Sequence, residues 1–232
     1  FTNSGYVRHQ MHIVDVATEK EVATFPMDRS WSGIAWAPNS KRIYVSGGVS
    51  GARGDVLVFQ NWDNRGWSEA RGGLSLLEAD KEKTAVAGLA ISPDGTILYA
   101  VNNSDDHLYI IEVVGKSPGR GLGRVEVGDH PIAAKLSKDG KRLYVANIGS
   151  GDVAVVDVAD PAKAQVVERF KTDPHPNDLI LTTDDRLFVS CGNANTVIAF
   201  DLKTKARMET IYTSLSPKAP AGTTPNSLAL SP

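Results

Sequence analysis

An apolar run, a polar turn and a Tyr- or Phe-centred strand recur four times in this chain, at intervals near 45 residues. The unit reads Ile34-Ala35-Trp36-Ala37-Pro38-Asn39-Ser40-Lys41-Arg42-Ile43-Tyr44-Val45, then Leu89-Ala90-Ile91-Ser92-Pro93-Asp94-Gly95-Thr96-Ile97-Leu98-Tyr99-Ala100. It returns as Ala134-Lys135-Leu136-Ser137-Lys138-Asp139-Gly140-Lys141-Arg142-Leu143-Tyr144-Val145 and as Leu179-Ile180-Leu181-Thr182-Thr183-Asp184-Asp185-Arg186-Leu187-Phe188-Val189. A repeat of this length, built from short strands, marks an all-β fold in which each copy is one four-stranded blade of a β-propeller.

A second marker keeps the same interval. Alternating strands ending in an acid or amide appear at His12–Val16, Val56–Gln60, Tyr109–Val113, Ala154–Val158 and Ile198–Leu202. Each unit therefore divides into strands a to d. Strand a is the apolar run, and an Asp-Gly pair such as Asp94-Gly95 or Asp139-Gly140 turns the chain into strand b, with Gly supplying positive φ. Strand c is apolar, and strand d is more polar, as in Gln165–Phe170, which suits inner strands buried on both faces and a half-wet outer one. The repeats fall at 1–29, 30–84, 85–129, 130–174 and 175–223, with a partial copy at 224–232, and are read as one domain. That is about five blades' worth. The last copy, Ser227–Pro232, matches Gly88–Pro93 and halts after strand a. It either completes the blade begun at the N-terminus or belongs to a larger ring, since an open ring exposes edge strands.

Composition narrows the partner classes. The net charge is −2 with no basic stripe, which argues against nucleic acid. No apolar run reaches the ~20 residues of a transmembrane segment. Cys191 is alone, which excludes an internal disulfide, and its place at the end of a strand b reads as a buried thiol. The stretch Asn61–Lys83, with Trp62, Gly66, Trp67 and Gly72-Gly73, lengthens one repeat and reads as a surface excursion covering the outside of a blade.

The candidate ligand residues precede strand a. Successive repeats present Ser30-Trp31-Ser32-Gly33, Ala85-Val86-Ala87-Gly88, His130-Pro131-Ile132-Ala133, His175-Pro176-Asn177-Asp178 and Thr224-Pro225-Asn226-Ser227. In a propeller these segments rim one mouth of the channel, so His130, His175, Asn177, Asp178, Asn226 and Trp31 are the candidate binding residues. Imidazole and carboxylate also suit a divalent metal, with His130, His175 and Asp178 as the set. Against this, Pro after His can serve only to set the backbone. Asp105, Asp106 and His107, with Asp55 and Asp152, sit in b–c turns and read as solvated caps. No glycine-flanked serine nucleophile, helical His pair or phosphate-cradling loop occurs.

The segments Leu143-Tyr144-Val145-Ala146-Asn147, Val153–Val158 and Leu89–Gly95 resemble the YVTN, or YncE-like, family of β-propeller repeats. More finely, Thr2–Tyr6, Trp31–Trp36 and the 217–226 linker resemble exported bacterial proteins in which such a propeller precedes a phosphoesterase domain of the alkaline phosphatase superfamily. The resemblance implies seven blades, so that this chain would be a fragment of the ring, and a periplasmic or secreted setting. It implies a binding or interaction scaffold that contacts a protein or small-molecule partner at the channel mouth, with any phosphoesterase chemistry in a downstream domain. Two alternatives stand beside it: a lactonase-like hydrolase or lyase working at the mouth through His130, His175 and Asp178, and a surface-layer structural protein. Thr182–Asp185 and Ser137-Lys138 depart from the family's Ser-Pro-Asp-Gly turn and read as a drifting blade rather than a different fold.

Overall fold

The computed structural model describes residues 1–3, 9–27, 31–38, 41–49, 55–61, 65–70, 72–76, 84–115, 119–214, 216 and 224–231. Ser30, Trp62 and residues 217–223 of the linker lie outside them. The described residues form antiparallel sheets joined by turns, with two short 3₁₀ turns and no α-helix. None of the described helices is long and apolar enough to cross a membrane.

The chain divides into two compact units, an N-terminal one of residues 1–105 and 109–123 and a C-terminal one of 106–108 and 124–232. In the N-terminal unit, β1 (Thr2–Asn3), β2 (His9–Asp15) and β3 (Lys20–Met27) form one sheet. A second runs β4 (Ile34–Trp36), β5 (Arg42–Ser46), β7 (Val56–Gln60) and β8 (Ser68–Glu69). A third sheet, most of which belongs to this unit, contains β9 (Ala85–Ile91), β10 (Ile97–Asn102), β11 (His107–Glu112) and β12 (Arg120–Glu126), with a fifth strand, β6 (Gly48–Val49), added beside β9. The sequence reading had no place for β6. It arises because the chain leaving β5 borrows the open edge of β9, pairing Gly48 with Val86 and Val49 with Ala85.

The C-terminal unit holds two regular four-stranded sheets. One is β13 (Pro131–Leu136), β14 (Arg142–Asn147), β15 (Asp152–Asp157) and β16 (Gln165–Lys171). The other is β17 (Pro176–Leu181), β18 (Arg186–Cys191), β19 (Thr196–Asp201) and β20 (Arg207–Tyr212). These are the blades expected from the repeat, with strands a to d in chain order. The polarity gradient is physical: β15 is almost wholly buried, whereas β16 alternates and β20 is mostly exposed.

Because side chains alternate across a strand, each central strand feeds two cores. On β5, Ile43 and Val45 pack with Met11, Ile13, Met27, Leu57 and Phe59. Tyr44, between them, faces the other way into a cluster with Val58, Leu89, Leu98, Tyr109 and Val113. Trp67 covers the first cluster and meets Trp36 edge-on at 5.6 Å. That is the outside-of-blade role expected of the long excursion.

Candidate functional site

The two histidines of the candidate set occupy equivalent places, and both are exposed on left-handed backbone, with φ of 53° at His130 and 59° at His175. Few non-glycine residues adopt this conformation, and it must be held by neighbours. At His130 the amide donates to the Asp106 carboxylate at 2.8 Å and the carbonyl accepts from Ile148 at 3.0 Å. At His175 the carbonyl accepts from Gly192 at 2.9 Å. Pro131 and Pro176 follow and are buried. The His-Pro step thus turns the chain into strand a and leaves each imidazole at the surface.

Asn177, Asp178 and Asn226 do come together, but their polar atoms bond to one another and to the chain. The Asn177 amide donates to Asn226 Oδ1 at 2.9 Å and its oxygen accepts from the Ser190 hydroxyl at 2.9 Å. One Asp178 oxygen accepts from its neighbour Leu179 at 2.9 Å, and the other accepts from the Leu228 amide at 2.9 Å and the Ser227 hydroxyl at 3.3 Å. Residues 224–231 are therefore clipped to β17 by these two side chains. The sequence reading offered them as ligand contacts; in the structure they hold the next strand-a segment.

The metal set fails for the same reason. No cluster of three or more His, Cys, Asp or Glu side chains fit to hold a metal occurs among the described residues. Asp178 is turned toward Leu228, and His130 and His175 begin different sheets. Trp31, the remaining candidate, lies in the N-terminal unit, half-buried just before β4.

The b–c turn acids also differ from the solvated caps expected. Asp55 is buried and accepts from the Leu76 amide at 2.7 Å. Asp152 is buried between Asn147 Nδ2 at 2.8 Å and the Arg169 guanidinium at 3.1 Å, and Arg169 also donates to the Val127 carbonyl at 2.7 Å. Asp105 accepts from the Tyr109 hydroxyl at 2.5 Å. These acids anchor blade edges. Cys191 is fully buried, and burial pushes its thiol up to about 11, with the Asp173 carboxylate adding to the rise. It is an unreactive core thiol.

The constellation that sequence reading missed lies at the opposite strand ends, where a–b and c–d turns meet. There a cleft of about 710 Å³ opens between the two C-terminal sheets. Leu136, Phe170, Leu181 and Leu202 make its apolar lining; its charged lining is Lys138, Arg142, Lys203 and Lys205 with Asp139, Glu168 and Asp185, and Tyr144 stands among them. Lys203 pairs with Asp185 at 2.9 Å and Lys205 with Glu168 at 2.9 Å. The signal was present: Lys138 and Thr182–Asp185 are the residues that depart from the repeat's turn.

A family model described as "Lactonase, 7-bladed beta-propeller" matches residues 42–230. Among solved structures, the chain is similar to the periplasmic gluconolactonase PpgL of Pseudomonas aeruginosa, with 15% identity, a TM-score of 0.70, and 90% of this chain covering 66% of that one. A putative 6-phosphogluconolactonase from Bacteroides uniformis matches at 17% identity and a TM-score of 0.65, over 91% of this chain and 66% of the other. The hydrazine synthase of Kuenenia stuttgartiensis matches at 21% identity and a TM-score of 0.60, over 78% and 48%. At these identities the likeness establishes the fold. The chain spans two thirds or less of the length of each of these three structures. No functionally curated protein matches the sequence.

Proposed function

Because this chain belongs to the lactonase family of seven-bladed β-propellers, we propose that the protein hydrolyses a small sugar lactone, with an exposed imidazole at the head of a strand a, that of His130 or of His175, supplying the proton transfer. The family match over residues 42–230 is the observation that carries the reading; the names of two solved relatives, a gluconolactonase and a putative 6-phosphogluconolactonase, motivate the substrate class. In lactone hydrolysis, water adds to the ring carbonyl, the tetrahedral intermediate expels the ring oxygen, and a hydroxy acid results. A base must take the water's proton and an acid must return one to the leaving oxygen. Imidazole is the side chain whose ordinary titration suits both roles near neutral pH. Both rings are exposed at equivalent strand ends, and their strained backbone is held by surrounding hydrogen bonds.

The test is a pH-stat assay of the full-length protein on glucono-δ-lactone, read against spontaneous hydrolysis. Enzyme-dependent turnover that falls by about 100-fold or more in His130→Ala/His175→Ala supports the reading. Turnover unchanged in the double variant would displace the site, and absence of turnover would remove the activity.

One observation favours a second reading, a non-catalytic YVTN-type interaction module: Asn177, Asp178 and Asn226 form hydrogen bonds within the chain. On this reading the protein is exported, and its chemistry, if phosphoesteric, belongs to another domain. Absence of turnover in the same assay selects it.

A further inference from the structure

The cleft between β13–β16 and β17–β20 has no part in that reading, yet it is where the repeat is broken. In the N-terminal unit the equivalent junction, between β4–β8 and β9–β12, is filled. Pro38 packs over Gly95, where an added Cβ would lie 3.2 Å from the Pro38 ring. Arg42 is buried and donates to the Tyr44 hydroxyl at 3.1 Å, to the Val113 carbonyl at 3.1 Å and to the Gly115 carbonyl. Five of those positions have these counterparts in the C-terminal unit: Lys138 for Pro38, Arg142 for Arg42, Tyr144 for Tyr44, Asp185 for Gly95 and Leu202 for Val113.

The counterparts do not close. Asp185 keeps the turn's left-handed backbone, with φ of 60° against 75° at Gly95, and Lys203 holds its carboxylate. Glu168 is likewise engaged by Lys205. The Arg142 guanidinium, the Lys138 ammonium and the Tyr144 hydroxyl make no hydrogen bond or ion pair among the described residues. Three donors thus line a space in which the Asp185 and Glu168 carboxylates are paired with lysines and the Asp139 carboxylate accepts from the Ser137 hydroxyl and the Lys141 amide. Burial, partly offset by Arg142 and reinforced by Glu168, Asp139 and Asp185, raises the Tyr144 hydroxyl above its ordinary 10.0, so it remains a donor at neutral pH. The volume falls within the roughly 300–1,000 Å³ of small-molecule sites, and the lining mixes apolar walls with a few convergent polar groups.

We propose that this cleft binds a small hydroxylated oxyanion, a sugar acid or a sugar phosphate, with Arg142 and Lys138 on the anionic group and the Tyr144 hydroxyl donating to a ligand oxygen. The guanidinium offers a planar fork suited to either carboxylate or phosphate. The site is separate from the strand ends that carry His130 and His175.

Isothermal titration of the full-length protein with gluconate, glucose 6-phosphate and sorbitol tests this directly, without reference to turnover. Binding of gluconate or glucose 6-phosphate, with sorbitol at least about tenfold weaker, supports the proposal and identifies the anionic group. Arg142→Gln, an exposed change, should weaken that binding by about tenfold or more. Lys138→Pro/Asp185→Gly rebuilds the residues of the filled junction and should also reduce it. Failure of both anions to bind, equal binding of sorbitol, or an unaltered affinity in Arg142→Gln would overturn the proposal.

Discussion

Two sheet junctions built from the same repeat end differently, one packed and one open, and the difference traces to a handful of positions. In the N-terminal unit, Gly33 faces the strand-a backbone of the next sheet so closely that a Cβ there would overlap the Ala87 carbonyl oxygen. Asp178 stands at the same repeat position at the head of β17, where it faces residues 224–231. Both amides donate to a serine hydroxyl of strand b at 3.1 Å, Ser46 and Ser190 respectively. Only the second position carries a side chain, and it bonds the following strand-a segment through the Leu228 amide. At the other strand ends, Arg42 spans the junction and Arg142 leaves it open. A repeat can thus keep its backbone while its seams change from van der Waals contact to side-chain hydrogen bonding to a solvent-filled cleft.

The largest effect should come from Gly33→Ala. The added methyl meets the Ala87 backbone, which cannot rotate away as a flexible side chain would, and also the Leu89 side chain. A loss of about 3 kcal/mol or more is expected by denaturant titration. Asp178→Ala, at the same repeat position, should cost about 1–2 kcal/mol by removing acceptors from Leu228 and Ser227. Equal costs at the two positions would break the contrast between a contact seam and a hydrogen-bonded one.

Next is the arginine pair. Arg42→Ala strands the Val113 and Gly115 carbonyls in a buried junction and should destabilise by about 2–3 kcal/mol. Arg142→Ala should change stability by less than about 0.5 kcal/mol, because its guanidinium bonds to nothing among the described residues. A similar loss at both sites would mean that the cleft closes in solution.

These contrasts show what the sequence could and could not reveal. The strands were legible because hydrophobic alternation and turn residues act locally, so Ser92-Pro93-Asp94-Gly95 and its relatives announce themselves. The use of Asp178 was not legible. It depends on Leu228, fifty positions away along the chain, and on a junction geometry that no local pattern encodes. His130 and His175 were placed correctly as equivalents, but a shared repeat position does not make side chains converge. The cleft was visible only as drift in a turn: Lys138 and Asp185 look like tolerated substitutions until Arg42 and Arg142 are compared.

The smallest expected effect concerns that turn itself, which both units retain. Ser92, Ser137 and Thr182 each donate a hydroxyl to the carboxylate two residues on, Asp94, Asp139 and Asp184. That hydrogen bond is the main reason each acid lies below its ordinary 3.8. A carboxyl lowered on folding stabilises the native state above its unfolded value, and the contribution disappears as pH falls through the lower native value. Asp139 is almost fully exposed, so solvent screening limits the gain; Ser137→Ala should cost about 0.5 kcal/mol at pH 7. The difference from wild type should shrink as the pH drops below 3.8, because protonated Asp139 no longer offers a charged acceptor. Thermal melts of both proteins from pH 7 downward check this. A gap that persists in acid would show that Ser137 acts by backbone capping of Arg142, at 2.9 Å, and that the turn shared by the two junctions is held by its hydroxyl without help from the charge.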